Sequence, residues 1–190
     1  TALTAEQETP PYETRSLSQR WTFATDGDIN DSPRVDGESV YLAAEGSGVF
    51  ALEPATGTEQ WQYAPAQGIW GRSLALAGDS LLVGLPGQEI ASLDSRTGEE
   101  QWRSKLQGEV QRPPLVVGDT LYVGTVFVGP GLESKPEEHA WVYALDVQSG
   151  EEIWSFETDN YLVVAPALEG ERLFAGGSYY DPSRDVAEGG

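Results

Sequence analysis

Short apolar runs of three to six residues, broken at regular intervals by glycine, run through most of this chain. Val40-Tyr41-Leu42, Leu81-Leu82-Val83, Leu121-Tyr122-Val123 and Leu173-Phe174-Ala175 each lie a few residues after a glycine, at Gly37, Gly78, Gly118 and Gly170. No stretch carries the 3.6-residue period of an amphipathic helix of useful length. Period-2 patterning between turn residues predicts strands instead. One set falls at 33–35, 39–44, 49–53 and 59–63. Corresponding strands are expected at 73–76, 81–84, 90–94 and 100–104, then at 114–117, 120–126, 141–146 and 151–157. A fourth set begins at 165–168 and 172–176.

A second marker runs in register with the first. Trp21, Trp61, Trp102 and Trp154 are spaced by 40, 41 and 52 residues. The last three follow one phrase: Ala51-Leu52-Glu53-Pro54-Ala55-Thr56-Gly57, Ser92-Leu93-Asp94-Ser95-Arg96-Thr97-Gly98 and Ala144-Leu145-Asp146-Val147-Gln148-Ser149-Gly150. The third copy is 12 residues longer, which places an insertion at 128–139. Four short antiparallel strands per unit of about 40 residues predict an all-β fold, a β-propeller of four-stranded blades. The organisation expected is a polar leader at 1–18, propeller repeats at 19–178 and a loop or truncated end at 179–190. Within the repeats lie a D strand at 19–24, blades at 32–63, 72–105 and 113–157, and a partial blade at 165–177.

The phrase has a physical reading. Gly57, Gly98 and Gly150 supply the positive φ of a tight turn between the third and fourth strands. Glu53, Asp94 and Asp146, with the Thr or Ser near each, can bond the turn amides. A Trp buried between blades is worth roughly 4–6 kcal/mol as an upper bound. These residues read as structural.

The same phrase resembles the tryptophan-docking motif of PQQ-like, quinoprotein-type propellers, over about residues 20–177. Glu53, Ser92 and Ser149 are small departures from it. The family holds quinone-dependent alcohol dehydrogenases and cofactor-free members such as the outer-membrane protein assembly lipoprotein, which this chain resembles more. The resemblance implies a seven- or eight-bladed ring and a place outside the cytoplasm (periplasmic, cell-surface or secreted). About four repeats are present, so closing such a ring is expected to need further propeller sequence or a second copy. The family's quinone enzymes carry adjacent cysteines, and this chain has no cysteine. No cofactor is therefore expected, and PQQ with calcium is the alternative.

With alternating strand directions, the loops between blades and those joining the second and third strands share one face. Residues that break the repeat gather there: Trp70, Arg72, Arg112, His139 and Tyr161. Variable loops on a rigid repeat are where binding function tends to sit, and aromatic and Arg residues suit an interface anchor.

Charge narrows the partners. Eleven basic against 31 acidic residues give a net charge of −20. Nucleic acid needs clustered Lys and Arg, so it is excluded, and a protein partner is expected. So acidic a surface also suits a high-salt habitat, where self-repulsion is screened. No run approaches the ~20 apolar residues of a membrane span, so membrane contact is expected only as a tether through the leader. Asp26, Asp28 and Asn30 imitate the first ligands of a calcium loop. However, Ser32 stands where that loop needs Gly, and Gly37 where it needs Glu. His139, the sole histidine, has no nucleophile beside it in a recognisable motif. The sequence thus favours a non-catalytic interaction scaffold, with a fragment of a PQQ-dependent alcohol or sugar dehydrogenase as the alternative.

Overall fold

The computed structural model describes residues 18–126, 139–158, 162–163 and 165–178. Tyr161, residues 1–17 of the leader, 128–138 of the insertion and the 179–190 end lie outside the described residues. Among the described residues every regular element is a strand.

Three four-stranded sheets follow one another, each a meander of neighbouring antiparallel strands. Blade I holds β1 (Arg34–Val35), β2 (Val40–Ala44), β3 (Gly48–Leu52) and β4 (Glu59–Tyr63). Blade II holds β5 (Ala75–Ala77), β6 (Ser80–Leu85), β7 (Glu89–Asp94) and β8 (Glu100–Lys105). Blade III holds β9 (Leu115–Val117), β10 (Thr120–Gly124), β11 (Trp141–Asp146) and β12 (Glu152–Glu157). The hairpin that follows comprises β13 (Leu162–Val163), β14 (Ala167–Glu169), β15 (Arg172–Phe174) and β16 (Gly177–Ser178). β14 pairs with β15 and β13 with β16, the register slipping by one residue between the pairs. Pro166, which has no amide hydrogen to donate, stands at the break.

The two middle strands of a blade are apolar on both faces because each face meets a neighbour. In blade I, Tyr41, Ala43, Val49 and Ala51 pack on Leu81, Val83, Leu85 and Leu93 of blade II. The alternate residues, Leu42, Ala44, Phe50 and Leu52, pack on Trp21 and Phe23. Leu82 and Ile90 turn the other side of blade II towards Leu121, Val123, Tyr143 and Leu145 of blade III. The outer strands are half wet, as in Glu59–Tyr63.

The shared phrase folds the same way three times. The amides of Gly57, Gly98 and Gly150 bond the carbonyls of Glu53, Asp94 and Asp146, each at 2.8 Å. A register shift follows at Ala51/Leu52, Ser92/Leu93 and Ala144/Leu145. The indole N–H of each preceding Trp reaches across to the turn of the next blade. Trp21 donates to the Pro54 carbonyl at 2.9 Å, Trp61 to Ser95 at 3.0 Å and Trp102 to Val147 at 2.9 Å. Trp154 contacts the ring of Tyr122 but stays 40% exposed, beside the exposed Ile153 and Phe156.

Three expectations need correcting. Residues 19–24 form no strand, because no neighbouring strand among the described residues offers them a ladder; Trp21 and Phe23 are held by side-chain packing and by the Trp21 indole hydrogen bond to Pro54. The strand expected at 120–126 stops at Gly124, since Val126 pairs instead with Glu109 in the loop before blade III. Leu162 and Val163, which fall in the loop between the strands expected at 151–157 and 165–168, are paired in β13.

Candidate interaction face

The loops entering each blade lie against the turns between second and third strands. The amide of Glu45 donates to the Asp28 carbonyl at 2.9 Å and that of Gly46 to the Ile69 carbonyl at 3.1 Å. Leu106 donates to Gln88 at 2.8 Å, and Glu109 and Val126 exchange both backbone hydrogen bonds. These loops and turns therefore form one continuous surface, opposite the Thr-Gly and Ser-Gly corners.

Glu109 joins three pieces of that surface. Its Oε1 accepts the Gly87 amide at 3.2 Å, and its Oε2 accepts the Gln88 amide at 3.1 Å and the Trp70 indole N–H at 3.3 Å. Gln88 is the one non-glycine residue with positive φ among the described residues, at 64°. A left-handed Gln costs of order 1–3 kcal/mol and persists only where its surroundings over-determine it. The carboxylate on its amide and the Leu106 amide on its carbonyl do that here. Glu109 is not among the residues singled out from the sequence for this face. The signal available was a charged residue where the preceding copy has apolar Ile69.

Trp70 and Arg72 come together, with Glu45 and Gln111, around an open cavity of about 170 Å³. Glu45 is tied by the Asn30 side-chain amide, which donates to its Oε2 at 3.0 Å. Arg72 and Arg112 are exposed, and neither has an ion pair or side-chain hydrogen bond among the described residues. They occupy the same position in successive copies, six residues before Gly78 and Gly118. In the first copy that position is Asp31, whose Oδ2 is 3.2 Å from an Arg34 nitrogen.

His139 stands apart from this cavity. Its Nδ1 lies 2.9 Å from Oε1 of Glu157, tying the end of the insertion to β12. Asp26 lines a different hollow, with Phe23, Phe50 and Gln62. Among the described residues no group of three or more His, Cys, Asp or Glu could hold a metal ion.

The most perturbed side chains lie elsewhere, across the outer strands of blades I and II. Tyr63 donates its hydroxyl to Glu100 Oε2 at 2.6 Å and accepts from Arg103 at 3.1 Å. Arg103 also pairs with Glu89 at 2.8 Å and with Glu100 at 2.7 Å. Burial first, and the Glu100 hydrogen bond second, push the Tyr63 phenol up to about 12. A general base needs a pKa near the working pH; this shift runs the other way. The cluster is a polar clamp between blades.

Sheet order, the Trp-to-turn joints and the loop face together define a β-propeller of PQQ-like repeats. The chain belongs to the family described as outer membrane protein assembly factor BamB, whose model matches residues 5–68 and 49–186. Among curated proteins none matches the chain. Among solved structures, a europium-containing methanol dehydrogenase shares the fold at 24% identity and TM-score 0.58, over 73% of this chain and 26% of its own. BamB from Moraxella catarrhalis matches at 19% identity and TM-score 0.52, over 83% of this chain and 58% of its own. The computationally designed Ika4 protein matches at 12% identity and TM-score 0.63, over 85% of this chain and 93% of its own. The chain thus spans about a quarter of the dehydrogenase and over half of the BamB structure. A chain close to this size carries the same arrangement in the designed protein.

Proposed function

We propose that this chain is a non-catalytic propeller scaffold that binds a protein partner outside the cytoplasm through its loop face. The observation that carries the reading is the Glu109 clamp beside two unpaired arginines. Glu109 braces the loops by hydrogen bonds that no other blade copies among the described residues, while Arg72 and Arg112 are left free at the surface. A braced surface loses little conformational entropy on binding, which favours affinity. Membership in a family named for outer membrane protein assembly supports both the protein partner and the location. Blade III's exposed Trp154 and Phe156 would be covered by further propeller sequence or by a second copy, and solution mass at rising concentration separates those two.

The test is capture of envelope proteins by the immobilised chain, with R72E/R112E against R96A, whose arginine lies on the opposite side. Loss of a specific captured band in R72E/R112E alone supports the reading; unchanged capture sinks it. The likeness to methanol dehydrogenase favours a second reading, a fragment of a PQQ-dependent alcohol or sugar dehydrogenase. Incubation with PQQ and calcium, followed by absorbance and dye-linked alcohol oxidation, separates the two readings. A bound chromophore that turns over alcohol would replace the scaffold reading.

A further inference from the structure

We propose that the cavity between Trp70, Arg72, Glu45 and Gln111 is a receptor for a single carboxylate side chain of an acidic protein segment. This names the partner chemistry of the loop face and so rests on the scaffold reading.

Size decides first. Sites for drug-sized ligands and cofactors run to roughly 300–1,000 Å³; this cavity is about 170 Å³. It has room for one Asp or Glu side chain, and a fused-ring cofactor is too large for it.

Charge decides next. Of the seven described arginines, Arg34, Arg96 and Arg103 face carboxylates within 3.2 Å. Arg20, Arg72, Arg112 and Arg172 face none among the described residues, and of these Arg72 lines this cavity. Its guanidinium can take a carboxylate through two parallel N–H···O bonds. The carboxylate already on the cavity wall, Glu45, is engaged by Asn30 and leaves that fork open. Glu45 also works against a more highly charged occupant such as phosphate, because like charges in one small site repel. Gln111 adds an amide that can donate to the second oxygen.

Shape and rigidity complete the argument. Trp70 forms a wall whose orientation is fixed, because its N–H is held by Glu109. Arg112, at the matching position of the next copy, supplies a second unpaired guanidinium. A segment with two or more acidic residues therefore meets two cations along one face. At 0.15 M ionic strength screening acts within about 8 Å, so the overall negative charge does not cancel attraction at contact.

The probe is a capped tetraglutamate peptide titrated into the whole chain at 0.15 M ionic strength. Acetate and inorganic phosphate serve as free-anion controls. The readout is the NMR shift of the Trp70 indole N–H and the Arg72 side-chain N–H. The peptide is expected to move both signals. R72A should weaken binding about tenfold or more, the value of a charge-assisted hydrogen bond. R72K should fall between, and R96A should match the wild type. No shift at millimolar peptide, or equal affinity in R72A, overturns the proposal. Equal response to acetate or phosphate would mean an adventitious anion site and overturns it too. If R72A abolishes peptide binding but envelope capture is unchanged in R72E/R112E, the scaffold reading fails while the cavity stands. If capture falls in R72E/R112E but tetraglutamate never binds, the cavity proposal alone is lost.

Discussion

The ring of Trp61 lies directly over the Cα of Gly98 in the next blade, so closely that a methyl group built there would come within 2.5 Å of Cε3. The indole N–H meanwhile donates to Ser95 in the same turn. One glycine thus serves two needs: a φ of 73° and room for a neighbour's ring. Replacing it should show both costs. G98A is expected to lose about 2–4 kcal/mol, the sum of left-handed strain and overpacking. Gly87 has comparable φ, at 87°, but nothing within 4 Å of the built methyl. G87A should therefore lose only about 1 kcal/mol. Urea midpoints at constant slope would measure both, and equal losses would refute the ring contact as a constraint.

The corner carboxylates predict an acid limb. The backbone amide of Thr97, ahead of that of Arg96, holds Asp94 below its ordinary value of 3.8. The Ser149 amide and hydroxyl lower Asp146, and the Thr56 hydroxyl together with turn amides lowers Glu53. A depressed native pKa gives stability that is present above the unfolded value and is lost as pH falls through the native one. Stability should therefore drop below about pH 3.8. D94N should be less stable at neutral pH and show a shallower acid drop. Parallel acid limbs in wild type and D94N would contradict this.

Tyr63 predicts the alkaline counterpart. With its phenol raised from 10.0 to about 12, its contribution is complete below pH 10 and is lost as pH climbs through about 12. Y63F should flatten part of that fall. Burial also raises Tyr41 and Tyr143, so the slope should shrink without vanishing. At neutral pH the lost hydrogen bond to Glu100 should cost about 1 kcal/mol.

Glu109 gives a local prediction. An amide in its place keeps one acceptor oxygen for three donors, so E109Q should leave at least one N–H unsatisfied. The expected cost is about 1–2 kcal/mol, with faster hydrogen exchange at Gly87 and Gln88 than at the β6 and β7 amides. Unchanged exchange at those two positions would mean that the turn is held by other contacts.

Salt should matter throughout. With a net charge of −20, self-repulsion falls as the screening length shrinks from about 10 Å at 0.1 M to about 3 Å at 1 M. Unfolding free energy is expected to rise with NaCl over that range, and a flat profile would remove the high-salt reading.

The sequence by itself determined the blades. A strand in a propeller is set by local alternation and by turn residues, and both repeat along the chain. The limits of β4 and β11 match the expectation to the residue, and the Gly turns, the corner acids and the Trp spacing were legible for the same reason. Only the tertiary structure decided what those residues meet. The residue that a Trp covers lies a blade away, at Gly57, Gly98 or Gly150, and spacing cannot say which surface closes over it. Strand status at 19–24 depended on a neighbouring strand rather than on the residues themselves. Of the residues singled out for the loop face, the fold brought Trp70 and Arg72 to one cavity and set His139 beside Glu157. It also placed Glu109, unremarkable in the sequence, at the junction of three loops. Such sites form through hydrogen bonds between residues 15 to 39 positions apart, whose partners are fixed only once the blades are side by side.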